Sequence, residues 1–431
     1  MSQTIAPPVP AAKPNPKPKP ARSLRQRLGR RPVFRTMQVA HRWLALILGL
    51  VLLTITISGS LLVLKPEIQR IVHPTLFHAT DGPPVGFEQA YAAVEAVDPA
   101  FKPTYGQLVN GNYLLMDDES KNYALDAATG KVNGTFNSQK GVFAFLDNLH
   151  ECGLGCEGYT GYVPFLGKPV GGFTGEELTW GGLILGITGL LLGFLVVTGL
   201  VVWWPGIKSM ARGFKIRRGS SRYKFHYDLH KVVGIVVLPF LAVWALTGAG
   251  FEFPFVKNAW YGILPGSAPA EPPEVQSKPV KGESVSMVEA GRIAQAKLPG
   301  SKLSALSPVD TSDPKSAYSV WLSSSNDPYD HGWYPGDVEV HVDRYSGKAT
   351  FGYGAPGSIN TVAEDLWEHW NYPIHAGTPV NGYWRSLWVV LGMAPLLLAI
   401  TGLITWWIRS RKSRAKKKRR KAMATAAQAG A

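Results

Sequence analysis

The chain has 431 residues, 45% of them apolar, and its 45 basic and 30 acidic residues give it a formal net charge of +15. The apolar residues are gathered into four long runs, which argues against two ordinary soluble domains. The basic residues are gathered into three segments, which indicates membrane topology and argues against a nucleic-acid-binding protein.

Four apolar runs predict transmembrane helices, and they lie at 41–64, 180–204, 232–253 and 384–408. Each run is long enough to cross a hydrocarbon core of roughly 30 Å as a helix that rises about 1.5 Å per residue. Charged residues stand almost entirely at the ends of the runs, which buried helices of a soluble core would not require. The sequence therefore predicts an α-helical membrane protein with four transmembrane helices in a lipid bilayer.

The basic segments predict how these helices are oriented. Residues 1–35 contain nine Lys and Arg and no acidic residue, residues 205–231 contain eight with Asp228 as the one acid, and residues 409–421 contain ten. Because basic segments stay on the cytoplasmic side, both termini are predicted to be cytoplasmic. The predicted cytoplasmic segments are the tail 1–40, the loop 205–231 and the tail 409–431, and the predicted external segments are 65–179 and 254–383.

The two halves of the chain repeat each other. The heptapeptide TGLVVWW at 198–204 returns as TGLITWW at 401–407. The first and third helices share a histidine and a glycine at one common offset, His41 with His230 and Gly59 with Gly248. The external segments share two strands joined by a turn, in YALDAATGKVNG (123–134) and VEVHVDRYSGKATFG (338–352). This internal parallel duplication predicts a helix, an external α+β module and a helix, made twice, with a site between the halves.

Histidines stand at the membrane ends of the predicted helices in a matching pattern. His41 and His230 begin the first and third helices on the cytoplasmic side, and His150 and His375 precede the second and fourth on the external side. Each membrane face thus receives one histidine from each half, as ligation of one haem iron by two neutral imidazoles requires. Because ionisable groups in membrane helices are usually functional, the pattern favours two haem sites over histidines that only pack or anchor the helix ends.

Two features leave alternatives open. His226 lies one helical turn before His230 and competes with it for the cytoplasmic haem site, and the two could also bind zinc, although no third ligand is evident. The only cysteines, Cys152 and Cys156, lie in an insertion at 151–172 on the external side. They are predicted to form a structural disulfide, with a redox-active dithiol as the alternative.

The stretches HRWLALILGL, DLHKVVGIVVLPFLAVWALTG and IHAGTPVNGYWRSLWVVLGMAPLLLAITGLITWW resemble the PepSY-associated transmembrane family, and the two Gly-Lys hairpins resemble its PepSY modules. The resemblance covers most of residues 36–410. It implies two periplasmic PepSY-like modules on a protein of the bacterial inner membrane. The family includes ferrisiderophore reductases with two b-type haems, so the resemblance implies that His41 and His230 hold a cytoplasmic haem b and that His150 and His375 hold a periplasmic one.

The predicted function is therefore that of a di-haem oxidoreductase that passes electrons outward to a ferric siderophore or another iron chelate. Electrons would come from a quinol or from a cytoplasmic reductase, because the chain has no motif for nucleotide binding or hydrolysis. External aromatic residues are candidates for a chelate platform or for module core, namely Trp321, Tyr329, Trp333, Tyr334 and Trp370. The alternative is a haem-independent PepSY protein that acts in transport or as a periplasmic binding or assembly module.

Overall fold

The computed structural model describes residues 32–171, 178–267, 275–280, 284–329, 334–378 and 382–429. The α-helices are α1 (Pro32–Ile47), α2 (Gly49–Leu62), α3 (Lys65–Val72), α4 (Phe87–Val97), α5 (Gly141–Glu151), α6 (Trp180–Trp203), α7 (Met210–Gly213), α8 (Arg222–Glu252), α9 (Pro254–Ile263), α10 (Met287–Lys297), α11 (Val362–Glu368), α12 (Asn371–Ala376), α13 (Gly382–Gly392) and α14 (Ala394–Ala429). The strands are β1 (Pro103–Val109), β2 (Asn112–Asp117), β3 (Lys121–Asp126), β4 (Val132–Asn137), β5 (Lys302–Ser307), β6 (Tyr318–Ser323), β7 (Val338–Val342) and β8 (Ala349–Phe351).

Three helical stretches in the described part of the chain are long and apolar enough to cross a membrane. They are α6, α8 and the stretch Trp384–Gln428, which runs through α13 and α14. The pair α1 and α2 meets the same test only as one span that bends by 65°. Gly49 begins α2 directly after the bend, and glycine has a low preference for the interior of a helix. The chain is therefore a multi-pass helical protein suited to a lipid bilayer.

The sequence differs from the structure at two helix boundaries. α8 begins at Arg222, ten residues before the apolar run at 232–253, so it includes both His226 and His230. The first predicted span at 41–64 is divided at Leu48, and its helix begins at Pro32. Polar residues extend both helices beyond their apolar runs, which is why hydropathy alone does not mark these starts.

The strands form one antiparallel sheet of eight in the order β4-β3-β2-β1-β5-β6-β7-β8. Both predicted hairpins form, as β3–β4 and β7–β8. The two four-stranded units meet through β1 and β5, where Gly106 is opposite Leu306 and Gln107 is opposite Ala305. The external segments therefore share a single sheet instead of folding as two separate sheets.

One face of the sheet is covered by α4 and α10, and its hydrophobic core draws residues from both units. Leu115 of β2 and Leu306 of β5 belong to the same buried cluster as Ala290 of α10. The hydroxyl of Tyr91 on α4 donates to the carbonyl of Leu306 at 2.8 Å, which links the first unit to the second. This shared core fixes the two units relative to each other.

We expect Leu115→Ala to destabilise the whole sheet, because the leucine is fully buried in the shared core. Removing a buried leucine side chain costs about 2–5 kcal/mol. The matched control is Val97→Ala on α4, whose side chain is mostly exposed and should change the free energy of unfolding by less than about 0.5 kcal/mol. Thermal unfolding of both variants in detergent, followed by circular dichroism, checks this; equal stability of the two variants would contradict a shared core.

Candidate functional site

Two pairs of histidines face each other near opposite ends of the helices. His41 of α1 and His230 of α8 have ring centroids 6.4 Å apart and form the basic-side pair. His150 of α5 and His375 of α12 have ring centroids 6.0 Å apart and form the sheet-side pair. His375 contacts Thr247, which lies about 25 Å along α8 from His230 at 1.5 Å per residue. The structure thus brings together the two histidine pairs that the repeat predicts and keeps them apart along the helices.

Every one of these histidines has a hydroxyl beside its Nδ1 atom. The contacts are His41 to Thr198 (2.9 Å), His230 to Thr401 (3.1 Å), His150 to Ser58 (3.3 Å) and His375 to Thr247 (2.7 Å). Each hydroxyl donates its own proton to a carbonyl of its own helix. A hydroxyl has a single proton, so towards the imidazole it can only accept.

Backbone carbonyls reinforce the same assignment in two of the four cases. His150 Nδ1 lies 2.9 Å from the carbonyl oxygen of Ile55, and His230 Nδ1 lies 2.9 Å from that of Leu398. A carbonyl oxygen only accepts, so Nδ1 carries the proton. All four neutral imidazoles are therefore Nδ1–H donors, and each keeps an Nε2 lone pair for a metal.

A glycine follows each of these hydroxyl residues and lets the imidazole approach the helix. A Cβ at Gly59 would overlap the His150 ring. At the other positions a Cβ would lie in contact with the ring, 3.5 Å from His41 for Gly199, 3.6 Å from His230 for Gly402 and 3.7 Å from His375 for Gly248. This role of the Ser/Thr-Gly steps does not follow from the sequence alone, although the repeated TGL heptapeptides and the SGS and TGA segments mark their positions.

The basic-side pair lines a cavity of about 440 Å³ between α1, α2, α6, α8 and α14. Most of its wall is apolar, with Leu52, Leu192 and Leu241 among the lining residues. Polar groups are few and include the two histidines. A mostly apolar cavity with a few convergent polar groups is typical of a cofactor site.

The spacing of both pairs fits a haem iron. Two imidazoles that ligate one metal ion from opposite sides, with metal–nitrogen bonds of about 2 Å, have ring centroids roughly 6 Å apart. The observed separations are 6.4 and 6.0 Å. The donor set also fits, because bound haem takes neutral imidazole and the second ring nitrogen of each histidine is already satisfied.

His226 does not join either pair. It lies on α8 one turn before His230 and packs against Phe225, and it is absent from the lining of the basic-side cavity. Its Nδ1 is buried with no hydrogen-bond partner among the described residues. No group of three or more His, Cys, Asp or Glu that could hold a metal ion occurs in the described part of the chain, so the zinc alternative has no support.

Aromatic rings lead from the sheet-side pair towards the surface. Phe251 lies edge-on to His375 with centroids 5.2 Å apart, and Tyr372 follows at 6.2 Å from Phe251. Tyr372 packs on Tyr334 at 4.3 Å, and Tyr334 is 41% exposed. Tyr329 is buried against Tyr334.

The remaining candidates for the chelate platform have other positions. Trp321 packs on Tyr353 of the sheet, and Trp370 is half-buried at the start of α12. Trp333 lies outside the described residues. Of the aromatic residues singled out in the sequence, Tyr334 therefore combines exposure with a path of ring contacts to the sheet-side pair.

A disulfide lies directly beyond the helix that carries His150. Cys152 caps the end of α5 and is bonded to Cys156. The buried side chain of Asn148, on the same helix, accepts a hydrogen bond from the backbone N–H of Cys156 at 2.9 Å. The loop rests on the start of α6, where Gly181 leaves room for the carbonyl of Cys152. The disulfide therefore closes the turn that follows His150, and the backbone of this turn packs on the start of α6.

Comparison with known proteins relates the chain to a protein family. A family model described as the PepSY-associated TM region matches residues 38–409, which is most of the chain. No curated protein matches the chain.

We expect Thr198→Val to weaken haem binding at the basic-side pair by about 10- to 100-fold, because it removes the acceptor that orients the His41 imidazole. Thr188→Val is the matched control, since Thr188 is a buried threonine on the same helix whose hydroxyl also bonds a carbonyl one turn back. Titration of the full-length chain with haem measures both. An equal loss of haem affinity in the two variants would show that the Thr198 hydroxyl acts only through packing.

The double variant Cys152→Ser/Cys156→Ser should keep both histidine pairs but unfold more easily. Closing so short a loop contributes about 2 kcal/mol to stability by the chain-entropy estimate. Unfolding measurements with and without reductant on the natural chain provide the comparison. Loss of redox activity with unchanged stability and unchanged haem content would instead indicate a redox-active dithiol.

Proposed function

Because the chain belongs to the PepSY-associated transmembrane family, we propose that it is a membrane di-haem b protein that passes electrons across a bilayer to a ferric chelate such as a ferric siderophore. One observation carries this proposal: two histidine pairs at opposite ends of the helices, each spaced for one iron and each with its Nδ1 atoms engaged. Helix packing alone would not require a histidine pair with this spacing and with engaged Nδ1 atoms at both ends of the helices.

We also propose that the protein has four transmembrane spans and arose by duplication, with α1 and α2 together as the first span. The contacts support this. Each histidine is held by a Ser/Thr-Gly step of its own half, as His41 by Thr198 and His230 by Thr401. Each pair then joins one histidine from each half. The sheet has the same arrangement, since its two four-stranded units meet through their first strands.

The proposed orientation puts the basic side in the cytoplasm and the sheet in the periplasm of a bacterial inner membrane. The charge distribution supports it, because α14 continues past Trp407 as an exposed helix rich in Lys and Arg. On this orientation His41 and His230 hold the cytoplasmic haem and His150 and His375 the periplasmic one. The electron donor is then a quinol or a reductase on the cytoplasmic side.

The chain's own residues hold and insulate the redox groups in this proposal. Bound haem supplies a one-electron Fe(III)/Fe(II) couple. The Nδ1–H contacts orient the imidazoles and raise their basicity as ligands. Tyr334 and Tyr372 give a partly exposed aromatic surface near the sheet-side pair on which a chelate can rest. Reduction of the bound iron weakens its hold on hard oxygen ligands, so iron is released.

The first test is haem stoichiometry. The natural chain should bind about two haems, and His230→Ala should lose one of them, because the two sites lie at opposite ends of the helices. His226→Ala is the matched control one turn away on the same helix and should keep both. The number of haems per chain is measured as the pyridine haemochrome. Loss of one haem in His226→Ala, with two haems retained in His230→Ala, would overturn the ligand assignment.

The second test is electron transfer in oriented vesicles. His375→Ala should abolish reduction of a ferric siderophore on the sheet side while the basic-side haem is still reduced from its own side. His369→Ala is the control, because His369 is also on the sheet side but bonds Asp365 and belongs to neither pair. The ferrous iron that is produced is measured with a chromogenic Fe(II) chelator. A wild-type rate in His375→Ala would contradict the proposed relay.

A further inference from the structure

One end of the basic-side cavity is lined by polar and cationic side chains. Gln38 and Arg42 line it from α1, Lys231 lines it from α8 and Arg409 lines it from α14. Among the described residues that line the cavity there is no Asp or Glu. A ligand that fills the cavity therefore meets an apolar wall over most of its surface and a group of cations at this end.

Two of these cations follow the ligand histidines in the sequence and repeat with them. Arg42 comes directly after His41, and Lys231 comes directly after His230. Each half of the chain thus supplies one imidazole and one cation to the same cavity. A ligand with one metal ion and two anionic groups on one edge matches this set of four side chains.

Arg42 has an unsatisfied donor that indicates an anionic ligand. Its Nε atom is buried and has no hydrogen-bond partner among the described residues, while its guanidinium lies 5.5 Å from the ring centroid of Trp43. A buried N–H without an acceptor is unfavourable, and more so on a charged group. The guanidinium is also the side chain best suited to bind a carboxylate through two parallel hydrogen bonds.

The acidic side chain beside Lys231 is already paired with another cation. Asp228 is buried and is already bound by Arg217 through two hydrogen bonds of 2.6 and 2.8 Å. Lys231 lies 3.8 Å from Asp228, beyond hydrogen-bond distance. Lys231 therefore lines the cavity with its ammonium close to the charge of the aspartate.

We infer that Arg42 and Lys231 bind the two carboxylate groups of the haem that His41 and His230 hold, so that the carboxylate edge of the macrocycle faces the basic side. This inference rests on the proposed function and adds an orientation and a ligand requirement to it. The basic-side site requires a metalloporphyrin with free carboxylates, because the buried Nε–H of Arg42 would otherwise have no acceptor among the described residues.

The test compares iron protoporphyrin IX with its dimethyl ester, which has the same ring and no carboxylate charge. The full-length chain with His375→Ala is used, so that binding reports on the basic-side site, and it is placed in nanodiscs of neutral lipid. We expect tight binding of the free acid and weaker binding of the ester. Arg42→Gln should reduce this preference by about tenfold, since a hydrogen bond to a charged group is lost.

Three further variants test the inference against a folding defect and against a general effect of charge. Arg42→Lys keeps the charge and should retain part of the preference, which separates carboxylate binding from a folding defect. Arg35→Gln changes an exposed arginine on the same helix that does not line the cavity, and it should leave the preference unchanged. Lys231→Gln should also lower the preference.

The outcomes separate the inference from the proposed function. An unchanged acid-to-ester preference in Arg42→Gln, with haem still bound, overturns the carboxylate clamp and leaves the haem proposal intact. In parallel nanodiscs that contain phosphatidylglycerol, weaker association of this lipid with Arg42→Gln at an unchanged preference also overturns the clamp, because the cation then binds a lipid phosphate. Failure of the His375→Ala chain to bind either porphyrin overturns both the clamp and the haem proposal.

Discussion

Each of the four paired histidines depends on the contact between its Nδ1 and a Ser/Thr-Gly step of a neighbouring helix. The hydroxyl is a usable acceptor because its proton already goes to a carbonyl of its own helix. Glycine is required at Gly59, where a Cβ would overlap the His150 ring, whereas at Gly199, Gly248 and Gly402 a Cβ would lie in ordinary contact with the ring. In an apolar surrounding an unpaired imidazole N–H is costly, so this contact sets both the tautomer and the direction of Nε2.

The shared sheet has a mechanical consequence for the sheet-side pair. His150 and His375 lie on the short helices α5 and α12, which are not themselves spanning helices. Their positions depend on how the external units sit above the membrane helices. The common core behind β1 and β5 joins the two units, and the disulfide closes the turn after α5 that packs on α6. The basic-side pair needs no such support, because His41 and His230 are carried by the long helices directly.

His41 and His230 could be found in the sequence because they recur at the same offset as Gly59 and Gly248, and His150 and His375 because each precedes an apolar run that ends in a TGL heptapeptide. The hairpins could be found because their strands alternate and are joined by Gly-containing turns. The start of α8 at Arg222 could not be found in this way, because the polar residues that extend the helix do not belong to its apolar run. The pairing of β1 with β5 could not either, because the alternation of a strand predicts its buried face and not its partner at an open edge. The Ser/Thr-Gly steps were visible as repeats, but small residues in membrane helices are also typical of close packing, and only the contacts to Nδ1 distinguish the two roles.

The central claim is that the two histidine pairs each ligate one iron through Nε2. Electron paramagnetic resonance of the oxidised full-length protein, purified with its own cofactors, tests it most directly. The account predicts two low-spin ferric signals of the bis-imidazole type, one from each pair. Absence of haem, or haem that is entirely high-spin, would contradict it.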